Sequence, residues 1–301
     1  MNYKFIETIC EKFKTEFKYG EILADYTSFE IGGKCDILVK PNSIDCIREI
    51  LKECRDNGVK YYVLGKGSNV LISDNGLKGV VIVISSPFSD VRLEGDEYIY
   101  CEAGASLAKL CAFAKEHSLT GLEFAYGIPG SVGGALFMNA GAYGGEIKDV
   151  VDCCDYLDEN FEIKTMKAEE MKLSYRHSIF SEKNNIILGV RFKLNKGDKS
   201  EITAKMSELM EKRRSKQPLE YPSAGSTFKR PEGDFAARLI EVSGLKGYTC
   251  GGAQVSEKHS GFVINKGGAT CDDVKNVIFG VKEKVYKDSG VMLECEILIL
   301  E

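Results

Sequence analysis

The apolar positions change period along the chain, and the changes mark its elements. Cys35, Ile37, Leu38 and Val39 read as a strand over 35–39. Ile44, Ile47, Ile50, Leu51 and Cys54 then recur every three or four residues on one helical face, and Asn57-Gly58 stops that helix before a second strand over 61–64. This is a βαβ opening. Strands over 80–84 and 98–102 follow, then a helix with Ser106 as N-cap and Leu107, Leu110, Cys111 and Ala114 as its buried stripe, ending near 117–121. Beyond a Gly-rich stretch, strands are predicted over 151–156 and 185–194, with turn residues at 195–198.

A connecting helix over 202–216 has Ile202, Met206, Leu209 and Met210 on one face, and ends in Arg213, Arg214 and Lys216 before Pro218, where a helix must stop. After it come a helix near 235–242 closed by Gly244, a strand over 261–264, a helix with Val274, Val277, Ile278, Val281 and Val285 inward, and a last strand over 291–300. The class is α+β. Length suggests about two domains, placed at 1–197 (with lobes of about 1–82 and 83–197) and 198–301.

Composition narrows the function classes. With 40 basic and 45 acidic residues the net charge is −5, which disfavours nucleic-acid binding. The longest aliphatic run is five residues, Val80 to Ile84, against the roughly 20 needed to span a bilayer, so no membrane insertion is expected. Residues 1–17 carry charges and no secretory pattern, which implies a cytoplasmic protein. The 11 cysteines, odd in number and without a CxxC pair, imply reduced thiols, and the 3 scattered histidines supply neither a triad nor a metal site. His259 reads as a loop or structural residue.

Glycine changes the picture, because its 31 residues cluster. One cluster is Gly65-Lys66-Gly67-Ser68-Asn69, directly after the 61–64 strand; the other runs over 127–145, where 7 of 19 residues are Gly. Glycine lets successive backbone N–H groups converge on phosphate oxygens, and Ser and Asn add donors. Neither common nucleotide fingerprint is met: the third Gly of GxGxxG is Val70, and no GxxxxGK[ST] occurs.

The residues Leu64-Gly65-Lys66-Gly67-Ser68-Asn69, Tyr126-Gly127-Ile128-Pro129-Gly130-Ser131-Val132-Gly133-Gly134-Ala135 and Asn139-Ala140-Gly141-Ala142-Tyr143-Gly144 closely resemble the UDP-N-acetylenolpyruvoylglucosamine reductases. The likeness starts at Thr27-Ser28-Phe29-Glu30-Ile31-Gly32-Gly33 and passes through Tyr175-Arg176-His177-Ser178, Lys216-Gln217-Pro218 and Ala224-Gly225-Ser226-Thr227-Phe228-Lys229. It reaches Leu293-Glu294-Cys295-Glu296, in family order. Glu30 departs from the basic or neutral residue of many relatives, and Cys295 stands where the family has Pro. The spacing from Arg176 to Ser226 resembles the shorter class, which lacks a Tyr-bearing insertion.

The resemblance implies a two-lobed FAD domain of the p-cresol methylhydroxylase and vanillyl-alcohol oxidase type, followed by a smaller α+β substrate domain. It implies non-covalent FAD, NADPH as hydride donor, and reduction of UDP-N-acetylglucosamine enolpyruvate to UDP-N-acetylmuramate for peptidoglycan, by a monomer. By the same implication Gly65, Lys66, Gly67, Ser68, Asn69, Gly127, Ile128, Pro129, Gly130, Ser131, Gly133, Gly134 and Ala135 hold FAD, with Asn139 and Gly141 nearby. Arg176 faces the substrate carboxylate, Ser226 protonates the α carbon, and Glu296 supports the reacting end in protonated form. Tyr175 joins the substrate site. Lys216 and Lys229, with Arg213 or Arg214, are candidates for the UDP pyrophosphate, although a basic helix end is more often a solvated one. Two rival readings are an FAD-dependent oxidase on the same scaffold, against which the second domain speaks, and a non-catalytic nucleotide-sugar binding module, which leaves Arg176, Ser226 and Glu296 together unexplained.

Overall fold

A computed structural model describes residues 3–301. The chain divides into two compact units, one made of the segments up to Tyr19, Ile37–Lys66 and Gly79–Arg213, the other of Gly20–Asp36, Gly67–Lys78 and Arg214–Glu301. A linear boundary at 197/198 differs from this in two respects. Ile202 and Met206 pack into the core of the first unit and carry most of the connecting helix with them. Phe29, Ile31 and Leu71, far upstream, belong to the core of the second. Long-range pairing decides both, and local periodicity carries no record of it.

In the first unit, a four-stranded sheet has the spatial order Glu16–Tyr19, Cys35–Lys40, Leu77–Val83, Tyr61–Leu64, the last two strands being parallel. Helix α1 (Lys4–Phe13), which the periodicity reading did not single out, buries Ile6, Ile9 and Cys10. Helix α2 (Ile44–Asp56) starts as it should: the Ser43 hydroxyl accepts from the Cys46 N–H, and Cys46, Ile47, Ile50, Leu51 and Cys54 are buried. An antiparallel sheet comes next, in the order Ile163–Lys167, Val151–Leu157, Ile186–Lys193, Tyr98–Glu102, Val91–Leu93. Ile163–Lys167 is an edge strand with mostly exposed side chains, so it has no apolar alternation to betray it. Helix α3 (Leu107–Glu116) is capped by Ser106 and buries the four expected residues. Helix α4 (Val132–Phe137) is capped by Ser131, and α5 (Lys199–Lys216) closes the unit's chain.

The second unit holds an antiparallel sheet of Thr249–Cys250, Ala253–Val255 and Val263–Asn265, with helices α6 (Ala236–Val242) and α7 (Cys271–Ser289). A capping box of Thr270 and Asp273 opens α7, Gly290 ends it in the left-handed region, and Val274, Val277, Ile278, Val281 and Val285 are buried. The long final strand is corrected to Leu298–Leu300, parallel to Val70–Ile72. Residues 291–297 pair only through the bridge of Phe228 with Cys295, because the chain changes partner at Leu298.

All eleven cysteines are free, nine of them buried. Burial pushes the thiols of Cys10, Cys54 and Cys101 up to about 12, and those of Cys35, Cys46 and Cys271 up to about 11. Among the described residues, no helix is long and apolar enough to cross a membrane.

Candidate active site

The two glycine clusters turn out to do different work. In 65–69, none of the five backbone N–H groups donates to a protein acceptor among the described residues, whereas Gly67 O accepts from Ser28 N and Asn69 O from Leu298 N. Gly67 has φ 59, and a Cβ there would overlap the Tyr26 carbonyl oxygen, so only glycine closes the loop this tightly. A run of unspent amides at a turn is a donor set for an anion.

In 127–135 most amides are already committed: Ile128 N donates to Ala125 O, Gly130 N to Ile128 O, Val132 N to Ala105 O, Gly133 N to Ala103 O and Ala135 N to Ser131 O. Gly134 N donates to the Ser131 hydroxyl. The stretch is thus a self-bonded turn that leads into α4. It also buttresses the first cluster, since a Cβ on Gly65 would overlap Ser131 Oγ. Gly127 lies against Arg213, whose Nε would stand 2.8 Å from a Cβ there. Arg213 is buried rather than a solvated helix end. Burial pulls its guanidinium below the usual value, and neighbouring Tyr143 counters that pull.

Asn139 and Gly141 serve Arg176. Tyr175 and Arg176 form the tip of a tight turn in which Ser174 and His177 exchange both backbone hydrogen bonds at 3.1 Å. Arg176 sits at φ 53, an unusual conformation for a side chain this large. Its Nη2 donates to Gly141 O at 3.0 Å, and its guanidinium lies 4.9 Å from the Tyr175 ring centroid. Asn139, completely buried, donates from Nδ2 to Ser174 O at 2.8 Å and accepts at Oδ1 from Lys148 N at 2.9 Å. A backbone carbonyl and an aromatic ring thus help to orient the guanidinium.

In the second unit, Ser226 and Glu296 come from distant sequence positions to adjoining segments. Glu296 N donates to Thr227 O at 2.9 Å, and Lys229 N to Glu294 O at 2.9 Å. Asn69 Nδ2 donates to Glu296 O at 3.1 Å, which ties the end of the first glycine cluster to the same segment. Lys229 Nζ lies 3.5 Å from Glu294 Oε2, so Glu294 is the acid of this segment that answers the lysine. Lys216 ends α5 and is exposed, as is Glu30 at its turn. His259 packs edge-on against Phe262, with Nδ1 accepting from Gly261 N at 3.2 Å, and burial lowers its pKa. Sequence reading missed Thr227, which is 1% exposed and hydrogen-bonded on three sides. Its only signal was its place between Ser226 and Phe228.

Residues 217–300 match the family model "UDP-N-acetylenolpyruvoylglucosamine reductase, C-terminal domain", and residues 35–164 match "FAD binding domain". The UDP-N-acetylenolpyruvoylglucosamine reductase of Clostridium novyi is 48% identical over 297 residues, covering 99% of this chain and 95% of that one. The chain belongs to this family. The crystal structure of UDP-N-acetylenolpyruvylglucosamine reductase from Thermus caldophilus aligns with a TM-score of 0.81 at 33% identity, covering 95% of this chain and 99% of that chain. Berberine bridge enzyme from Eschscholzia californica, at 16% identity and a TM-score of 0.50 over 64% of this chain and 44% of its own, shares the FAD-domain fold alone.

The protein is therefore an FAD-dependent, NADPH-using reductase of peptidoglycan synthesis, with an FAD-binding domain followed by the family's C-terminal domain. The five unspent amides of 65–69 and the glycine-only closure at Gly67 fit a dinucleotide pyrophosphate. The oxidase and binding-module readings give way to the near-full-length identity with named reductases.

Proposed function

We propose that Arg176, Ser226 and Glu296 carry the reduction of the enolpyruvyl group of UDP-N-acetylglucosamine enolpyruvate to the lactyl group of UDP-N-acetylmuramate. Bound FAD supplies the hydride, taken from NADPH. Hydride addition at the β carbon of the enol ether leaves electron density on the α carbon, next to a carboxylate that is already negative. Arg176 meets that carboxylate with a planar pair of donors, a geometry lysine lacks. Its charge stabilises the state in which negative charge has grown. Ser226 gives its hydroxyl proton to the α carbon; against so basic a carbon a weak, well-placed acid suffices, and such donors contribute about 10²- to 10⁴-fold in rate. Glu296, protonated, hydrogen-bonds the same end of the substrate. An ionised carboxylate would oppose the forming charge.

The observation that carries this reading is the Glu296 N–H bond to Thr227 O, which sets a carboxyl group and the Ser226 hydroxyl on neighbouring segments. Gly65, Lys66, Gly67, Ser68 and Asn69 hold the FAD pyrophosphate. Ile128, Pro129, Gly130, Ser131, Gly133, Gly134 and Ala135, with Gly127, form the close-approach wall. Tyr175, Lys216 and Lys229 take the substrate. In this reading the FAD-binding domain matched over 35–164 serves FAD, and the C-terminal domain matched over 217–300 serves the nucleotide sugar. Eleven free cysteines support a reducing, cytoplasmic setting, and the working form is a monomer, which sedimentation tests.

The experiment is anaerobic. Purified protein carrying FAD is bleached with NADPH, and the enolpyruvyl nucleotide is then added. Recovery of the yellow oxidised spectrum on that addition, and not on addition of UDP-N-acetylglucosamine, is expected. No recovery would contradict the reading.

A further inference from the structure

The segment 226–229 is gripped from two sides. On one side Glu296 N donates to Thr227 O and Lys229 N to Glu294 O; on the other, Thr227 N donates to Gly261 O at 2.9 Å. A third tether is a side chain. The Thr227 hydroxyl accepts from Val263 N at 3.0 Å, a bond buried from solvent. Three polar atoms of one residue therefore fix the peptide between Ser226 and Thr227 against both the segment bearing Glu296 and the strand Val263–Asn265. Gly225, at φ 76, lies in the left-handed region just before Ser226, so the chain reverses there and depends on the tethers at Thr227 and Lys229 for its alignment.

We infer that the Thr227 hydroxyl is a positioning group for the reduction: it holds the Ser226 peptide in register with Glu296 without touching the substrate. The inference rests on the catalytic roles given above to Ser226 and Glu296. The two backbone bonds of Thr227 survive a substitution that keeps the backbone N–H. The hydroxyl bond does not, and losing it strands a buried Val263 N–H, which must find another acceptor by shifting the strand. A displacement of that size acts on a proton donor far more than on binding, because transfer depends on near-contact geometry.

Thr227→Val keeps the volume and removes the acceptor; Thr227→Ser keeps the acceptor and removes a methyl group. In the FAD-loaded protein, the valine variant is expected to be reduced by NADPH within about twofold of the parent. Its reoxidation by saturating enolpyruvyl nucleotide should slow about 10- to 100-fold, with KM changed far less than the rate constant. Amide exchange at Val263 and Glu296 should quicken in the same variant. The serine variant should reoxidise within about threefold of the parent. A valine variant that reoxidises at the parental rate overturns the inference. If the valine variant does not accumulate as folded protein, the serine variant decides: near-parental reoxidation supports positioning through the hydroxyl, and a tenfold or greater loss assigns Thr227 to packing alone. Ser226→Ala runs beside both. If it too reoxidises normally, the assignment of Ser226 has failed; a normal valine variant beside an inactive Ser226→Ala removes only Thr227.

Discussion

A methyl group at Gly67 would meet the Tyr26 carbonyl oxygen and force an L side chain to φ 59. Gly67→Ala should consequently cost about 1 kcal/mol for the left-handed backbone before any clash is counted. The variant is expected to purify with little FAD, read as the ratio of flavin to protein absorbance. Asn139 tests a different kind of residue. It resembled a cofactor contact in sequence, yet its amide is spent on Ser174 O and Lys148 N. Asn139→Ala takes the acceptor from the Lys148 N–H and one of the two donors from Ser174 O, both in part-buried bonds, at about 1 kcal/mol. It should lower the unfolding temperature and raise KM for the nucleotide through the Arg176 turn, while reduction by NADPH stays near parental. An equal loss in both half-reactions would place Asn139 at the flavin instead. The proposed roles of Arg176, Ser226 and Glu296 rest in sequence on their motif neighbours alone. Their supports, Gly141 O and Thr227 Oγ1, were not legible, because a backbone carbonyl and a small buried hydroxyl leave no pattern in a sequence.

Elements with one apolar face were easy to read, and those without were not. Helix α2 announced itself by Ile47, Ile50, Leu51 and Cys54, whereas the edge strand Ile163–Lys167, almost wholly exposed, had nothing to announce. The stretch 291–297 misled in the opposite sense. Leu293 and Ile297 are buried with exposed Glu294 between them, which gives the look of a strand, but only one bridge pairs it. Burial alternation reports which side faces a core, not whether a ladder forms. Caps were read more securely, since Ser106 acts within its own turn. In α7 the Thr270–Asp273 capping box satisfies two first-turn donors at once. Thr270→Ala should therefore destabilise the second unit by about 1 kcal/mol, visible as a lower denaturant midpoint with an unchanged slope.

On the scale of the molecule, the division into two units escaped linear reading because Phe29, Ile31 and Leu71 join a core otherwise built from the C-terminal third. Cysteine chemistry, by contrast, was legible and has a whole-molecule consequence. Buried thiols raised to about 11 or 12 stay protonated in the fold, while in the unfolded chain they ionise from about 9. The folded state thus keeps its full stability below pH 9 and loses it as pH rises toward 11 and 12. Urea midpoints measured from pH 7 to 11 should be flat at first and then fall. Alkylation of the native protein at pH 8 should reach Cys250 and Cys295, the two half-buried thiols, and spare the nine buried ones.

The central claim is that proton delivery by Ser226 is separate from flavin reduction. Stopped-flow single turnovers of Ser226→Ala, with FAD bound and oxygen excluded, test it most directly. Bleaching by NADPH is expected at the parental rate, followed by reoxidation by the enolpyruvyl nucleotide slowed at least about 10²-fold. Parental rates in both phases would contradict the account.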